Sequence, residues 1–444
     1  MAVAVAKLRQ LIKDCDPLLP LNPGDPRYVN LDEGMRGSDG GACIDALHRT
    51  IDLADPTETT FQLFSGFSGS GKTTELRRLR ARLEEDKATA THVTFVNADE
   101  YLDPYTPITI TDVLRVLAYA LDEAAAEQEA LATGEEVDRE RGYLRRFFDF
   151  LTQTDATLKT VGFDAYGTKL MFEVKDNPSF RRRVEEVLAL RFQQFATDAK
   201  DVMGEAITKL RKATGAQRIV LVVDGLEKLS TLREEDRTAV EAAVETVFVQ
   251  HAAWLRPPCH AIFTFPLWLR FRTTLNGEGY DRGWQVLPMV KVAERDAART
   301  DFRPGIDRLV ELVERRLPVG EVFGSRGLVE RMVRASGGYP KDLLRLVREV
   351  LYTSKSFPAT SADVDRVIDR LTEAYAQTVR EPARAMLTEV AATHAIPDGD
   401  AARAAAFGRL LEQWLVLAYR NGSEWYDVHP LARRALGPKT PAPT

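Results

Sequence analysis

The segment Gly66-Phe-Ser68-Gly69-Ser70-Gly71-Lys72-Thr73-Thr74 carries the clearest chemistry in the chain. It satisfies GxxxxGK[ST], in which glycines let the backbone curl so that its N–H groups converge on phosphate oxygens. Lys72 is expected to reach the β- and γ-phosphates and the Thr73 hydroxyl to ligate Mg²⁺. Thr74 is expected to face the α-phosphate. Gly66, Ser68, Gly69, Ser70 and Gly71 would complete the cradle around ATP or ADP. The context fits: the apolar run Phe61, Leu63, Phe64 precedes the loop, and Leu76, Leu79, Leu83 follow at helical spacing. That helix would aim its positive dipole end at the same phosphates.

A second constellation lies at the end of Arg218-Ile-Val-Leu-Val-Val-Asp224, a continuous apolar run of the kind buried on both faces in a parallel sheet. Asp224 is placed to hold the Mg²⁺ shell through a water. Glu227, in Asp224-Gly-Leu-Glu227-Lys, is placed to orient or deprotonate the attacking water. An acid at a strand end also serves as a plain helix cap, and that reading stays open.

These residues need a sheet to hold them. Besides the two runs above, His92 to Asn97, His260 to Pro266 and Val286 to Val292 read as strands. Strands alternating with helices predict an α/β, doubly wound P-loop NTPase sheet. Thr111 or Asp112 can cap a helix carrying Val113, Leu114, Leu117 and Leu121. Residues 122–215 read as a helical insertion, solvated by default, with a hairpin over Thr157 to Val174. Beyond Asp301 the strand pattern stops and helical stripes follow, then Leu415 to Tyr419 and Glu424 to Val428 flank a turn. The expected organisation is a lead-in over 1–59, an ATPase core over 60–300, a helical lid over 301–360, a winged helix over 361–437 and a disordered tail over 438–444. The lead-in is rich in turn formers, among them Pro17, Pro20, Gly34, Gly37, Gly40 and Gly41, and reads as a packed arm.

Composition narrows the class. At 444 residues the chain is too long for one core; 44% hydrophobic and 28% charged residues are ordinary for a soluble protein. A net charge of −6 gives no global basic footprint for nucleic acid. Cys15, Cys43 and Cys259 stand apart, with no CxxC or His cluster, which suits a reducing cytoplasm. The apolar opening is too short for a signal peptide, and no run approaches the ~18 apolar residues that span a bilayer, so no membrane is expected.

Gly66 to Thr74 together with Asp224-Gly-Leu-Glu227-Lys resemble the AAA+ and STAND branch of P-loop ATPases, the NACHT and origin-recognition relatives, whose second motif often reads DGLDE. The resemblance spans roughly residues 60 to 437. Gly337-Gly-Tyr-Pro340-Lys341 resembles the lid motif of that branch, which implies that Pro340 packs near the base and Lys341 touches phosphate as a second sensor. A plain helix start with proline in its first turn describes the segment equally well. Tyr28 and Val29 could contribute to an adenine pocket. Thr264 resembles the first sensor of the γ-phosphate, and a satisfied strand-end threonine is the alternative. Trp425-Tyr-Asp-Val-His429-Pro resembles the winged-helix end of STAND switches, which implies that His429 contacts the β-phosphate of ADP. Val428 and Pro430 depart from that motif, and with Pro430 as a first helical residue His429 reads equally well as a residue preceding a helix. Arg270, Arg272 and Arg282 are candidates for an arginine finger acting in trans.

The resemblance implies an ATP-hydrolysing switch that couples nucleotide state to a homo-oligomer or a separate effector protein, in bacterial defence or signalling. The alternative is a DNA-binding initiator- or loader-type ATPase. Its helix over Ala402 to Gln413 offers only Arg403 and Arg409 against Glu412. A small-molecule kinase would not need the lid and winged helix.

Overall fold

The computed structural model describes residues 5–32, 43–55, 58–86, 89–103, 105–134, 142–155, 168–229, 234–272, 279–296 and 298–437. Its centre is a five-stranded parallel sheet of β1 (Phe61–Gly66), β2 (Thr91–Asn97), β3 (Arg218–Asp224), β4 (His260–Thr264) and β5 (Trp284–Leu287). The spatial order is β2-β3-β4-β1-β5. Two crossovers therefore meet at β1, whose C-terminal end carries the glycine-rich loop; in open α/β sheets ligands bind at such ends.

Alternation along β3 explains why helices cover both faces. Val220 and Val222 point to one core, with Leu76, Leu79 and Leu83 of α3 (Lys72–Glu85) and Ile44 and Leu47 of α2 (Cys43–Asp52). Ile219, Leu221 and Val223 point to the other, against α4 (Ile110–Thr133) and α8 (Phe192–Thr214). Between those two helices lie α5 (Tyr143–Thr154), α6 (Thr168–Asp176) and α7 (Pro178–Leu190). The insertion is thus no solvated excursion. Ala196, Ala199, Met203, Ala206 and Leu210 recur every three or four residues along α8 and are buried, an apolar stripe masked in sequence by charged neighbours.

Other expectations shift as well. Thr109, not Thr111 or Asp112, caps α4, accepting from Asp112 N while the Asp112 side chain returns the bond. Residues 168–174 of the expected hairpin are helical, and its remainder lies outside the described residues, as do Gly34, Gly37, Gly40, Gly41 and the tail 438–444. The last strand ends at Leu287; Met289 and Val290 instead bond to Ala418 O and Gly338 O and enter the second core.

After β3 come α9 (Arg237–Glu245) and α10 (Ala252–Leu255), and after β5 the helical region begins. It consists of α11 (Arg303–Glu314), α12 (Val319–Val322), α13 (Arg326–Ser336) and α14 (Pro340–Thr353), then α15 (Ser361–Ala376), α16 (Ala383–Thr393) and α17 (Ala401–Glu412). The antiparallel pair β6 (Val416–Asn421) and β7 (Ser423–Val428) and then α18 (Pro430–Leu436) complete it, an arrangement consistent with a lid and a winged helix. One hydrophobic core joins these elements to Leu11 of α1 (Val5–Asp14), Cys15, Val29 and Leu31, so the N-terminal arm packs on the helical region. Among the described residues no helix is long and apolar enough to cross a membrane.

A candidate nucleotide site at the sheet's carboxyl edge

The loop after β1 turns on two left-handed glycines, Gly69 at φ 82° and Gly71 at φ 101°. At Gly69 a Cβ would sit 2.5 Å from Cδ of Lys341, so both backbone and space demand glycine there. Lys72 Nζ, buried, donates to Gly66 O at 3.0 Å and Phe67 O at 3.1 Å, and lies 3.1 Å from Glu227 Oε1. Thr73 Oγ1 donates to Asp224 Oδ2 at 2.6 Å. The phosphate loop, the segment after β3 and Lys341 thus lie together. Thr74 also lines the cavity, and its Oγ1 accepts from Leu21 N at 3.1 Å, which ties the N-terminal arm to α3.

The two acids behave differently. Burial, joined by the like charge of Glu227, pushes the Asp224 carboxyl up to about 6 against the pull of Thr73 and Lys72. Its Oδ1 is buried with no hydrogen-bond partner among the described residues. A dication held there by Asp224 and Thr73 would satisfy that oxygen and offset the desolvation, so this donor pair fits Mg²⁺. For Glu227 burial also raises the carboxyl, but Lys72 and then Thr264 outweigh it and hold Glu227 below the usual carboxylate range. Glu227 Oε2 also accepts from Gly225 N at 3.1 Å. Thr264 is fully buried; its Oγ1 accepts from Leu226 N at 3.1 Å, so it braces the Asp224–Lys228 turn and does not line the cavity.

These groups wall a cavity of about 710 Å³. Ser68 to Thr74, Asp224 and Glu227 form its floor; Leu21, Arg27, Tyr28, Val29 and Leu31 of the arm close one side; Leu312, Arg316, Pro340, Lys341 and Leu344 close another. Tyr28 is fixed by its hydroxyl, 3.2 Å from Glu75 Oε1, and by the Arg78 guanidinium over its ring. Arg316 carried no signal in the sequence. It is placed by Nη1 bonds to Arg27 O at 2.9 Å and Leu312 O at 2.8 Å, and burial draws its guanidinium below the usual value.

The start of α14 touches the loop directly. Tyr339 Oη donates to Ser68 O, the stem of Lys341 crosses Gly69, and Asp342 turns away from the cavity. His429, expected at the β-phosphate, is not on the cavity wall: it is fully buried, its ring stacks on Tyr375 at 4.5 Å, and its Nε2 lies 3.3 Å from Asp342 Oδ2, off the N–H direction. Its Nδ1 accepts from Leu431 N at 3.2 Å, so Pro430 begins α18 and His429 caps it. Of the finger candidates, Arg270 is held by Glu424 in a two-pronged pair at 2.9 and 2.8 Å, and Arg272 by Glu241 and Glu245. Arg282 is exposed at φ 63°.

No family model and no curated protein matches the sequence. Among solved structures the chain is similar to a Walker-type ATPase of Pyrococcus abyssi, at 14% identity over 88% of this chain and 95% of that one, TM-score 0.39. It is also similar to the Drosophila ORC bound to DNA, at 14% identity over 99% and 94%, TM-score 0.36. A third likeness is Cdc6p from Pyrobaculum aerophilum, at 12% over 89% and 91%, TM-score 0.35. At this level of identity and overlap these likenesses assign neither ligand nor partner to the chain.

Proposed function

We propose that the chain binds and hydrolyses ATP in this cavity and uses nucleotide state to shift its helical region against the sheet, as a switch ATPase of AAA+ type. One observation carries the reading: Thr73 joined to Asp224 and Lys72 paired with Glu227, at the start of α3 and the end of β3 around a glycine loop. Lys72 would trade its loop carbonyls and Glu227 for the β- and γ-phosphate oxygens. Thr73 and Asp224 would hold Mg²⁺, which neutralises charge on those oxygens. Glu227, ionised at neutral pH, is then free to accept a proton from the attacking water.

For the partner, two classes were open. The defence or signalling reading drew on His429 at ADP, and His429 is enclosed between Asp342 and Tyr375. The initiator- or loader-type reading is the better of the two; its support is the winged-helix arrangement, a form that lays a helix in the DNA major groove. Salt-dependent DNA binding by the purified protein separates them. A homo-oligomer is compatible with either.

The test of the nucleotide reading is Lys72→Ala. We expect loss of tight ATP and ADP binding in calorimetry with an unchanged fold by circular dichroism. Unaltered affinity in the folded variant would overturn the assignment.

A further inference from the structure

Trp414 follows α17 in left-handed backbone, φ 56°, where a helix ordinarily ends on glycine or asparagine. Any Cβ is penalised there, so an indole in that place calls for a compensating contact. The ring packs against the core of the helical region and also meets Lys341, whose Nζ lies 4.7 Å from its centroid. The stem of the same lysine crosses the phosphate loop at Gly69. Lys341 also lines the cavity with Lys72, Thr73 and Glu227. Burial, with Arg345 and Lys72 adding to it against Asp342, draws its ammonium below the usual value, so a negative partner is favoured. One cation thus has its stem on the phosphate loop and its head on the winged helix.

We propose that Trp414 lowers the site's preference for ATP over ADP by holding the Lys341 ammonium as an alternative to the terminal phosphate. This rests on the nucleotide reading above. The indole face attracts the cation through its quadrupole, a phosphate through full negative charge, and one ammonium cannot be fully shared between them. ADP has no γ-phosphate to draw the lysine off the ring. ATP does, and its affinity carries the cost of leaving it. Because Trp414 joins α17 to β6, the exchange is felt there: once the lysine turns to phosphate, the ring loses its cation and keeps only its core packing.

The test is calorimetry with Mg²⁺, using ADP and a non-hydrolysable ATP analogue. The proteins are wild type, Trp414→Gly, Trp414→Phe, Lys341→Met and the double variant Lys341→Met/Trp414→Gly. Glycine suits the backbone at φ 56°, so ring loss brings no new backbone strain. We expect Trp414→Gly to tighten the analogue about 2- to 5-fold, the range of a partly exposed cation–π contact, with ADP affinity unchanged. Trp414→Phe should shift the analogue less and in the same direction. In the Lys341→Met background removing the ring should change nothing. Weaker or equal analogue binding by folded Trp414→Gly, or an equal shift for ADP, overturns the proposal. If Trp414→Gly does not fold, Trp414→Phe decides by the same criteria. Absence of ADP binding in wild type would remove the nucleotide reading itself, and this one with it.

Discussion

Lys72 and Glu227 are both almost fully buried, and each is the other's charge partner. Removing one leaves an uncompensated charge in low dielectric, which makes the pair more than two independent site residues. Glu227→Gln is the informative change, because the amide keeps the shape and an oxygen for Lys72 but cannot take a proton. ATP binding should survive, while hydrolysis should slow by roughly 10²- to 10⁴-fold, the usual share of a general base. Single-turnover hydrolysis beside a binding isotherm measures both, and wild-type turnover would move the base elsewhere. At this scale the sequence is informative because motif chemistry is local: Lys72, Thr73, Asp224 and Glu227 fall where spacing and strand ends put them. Thr74 and Thr264 were harder, since their partners, Leu21 N and Leu226 N, depend on how the arm and a turn pack.

The element that ties the molecule together is the first turn of α14. Tyr339 reaches the loop, Lys341 the loop and Trp414, and Asp342 the winged helix, while Tyr419 Oη bonds Gly337 O at 2.6 Å just before the helix. Asp342 is buried, which alone would raise its carboxyl; the His429 imidazole and the Tyr375 hydroxyl, 2.6 Å from Oδ2, hold it below the usual range. A lowered carboxyl stabilises the fold above the unfolded pKa of ~3.9, and that contribution is lost as pH falls through the lower folded value. At neutral pH, His429→Ala should cost about 1–3 kcal/mol, the desolvation left on the buried Asp342 carboxylate when one of its polar neighbours is removed. His429→Ala combined with Asp342→Asn should recover part of that loss. Denaturant titration of wild type and both variants checks it; equal midpoints for wild type and His429→Ala would show the pair to be inert. The motif Gly337-Gly-Tyr-Pro340-Lys341 was readable as a helix start near phosphate. Asp342 was not, because nothing local marks a residue whose partners, Tyr375 and His429, come from two later helices.

Across the whole molecule, α17 and the β6–β7 hairpin are clasped to the segment that follows β4. Phe407 and Tyr426 pack edge-on against Phe271, Gly408 of α17 lies against Trp268, and Arg270 grips Glu424. The buried face of α17 thus packs on the sheet domain, and its Arg403 is engaged by Glu389, so a DNA contact through this helix requires the clasp to open. Glu412 sets the clasp's pH response. It meets Arg237 of α9 at 3.1 Å, with Glu241 behind that arginine, itself gripped by Arg272, and Arg409 on its own helix. Burial, with Glu241 adding to it against Arg237 and Arg409, pushes the Glu412 carboxyl up to about 7. A raised carboxyl binds its proton more tightly when folded, so stability is fullest below the unfolded pKa of ~4.3 and declines as pH rises through about 7. The full span amounts to at most on the order of 3 kcal/mol. Glu412→Gln, permanently neutral, should flatten this slope between pH 5 and 8 and melt higher than wild type at pH 8. Hydrogen exchange of the β6–β7 amides over that range localises the effect: in wild type it should quicken with pH beyond the intrinsic rate, and in Glu412→Gln it should not. A variant that keeps the wild-type slope would place the titrating group outside the clasp.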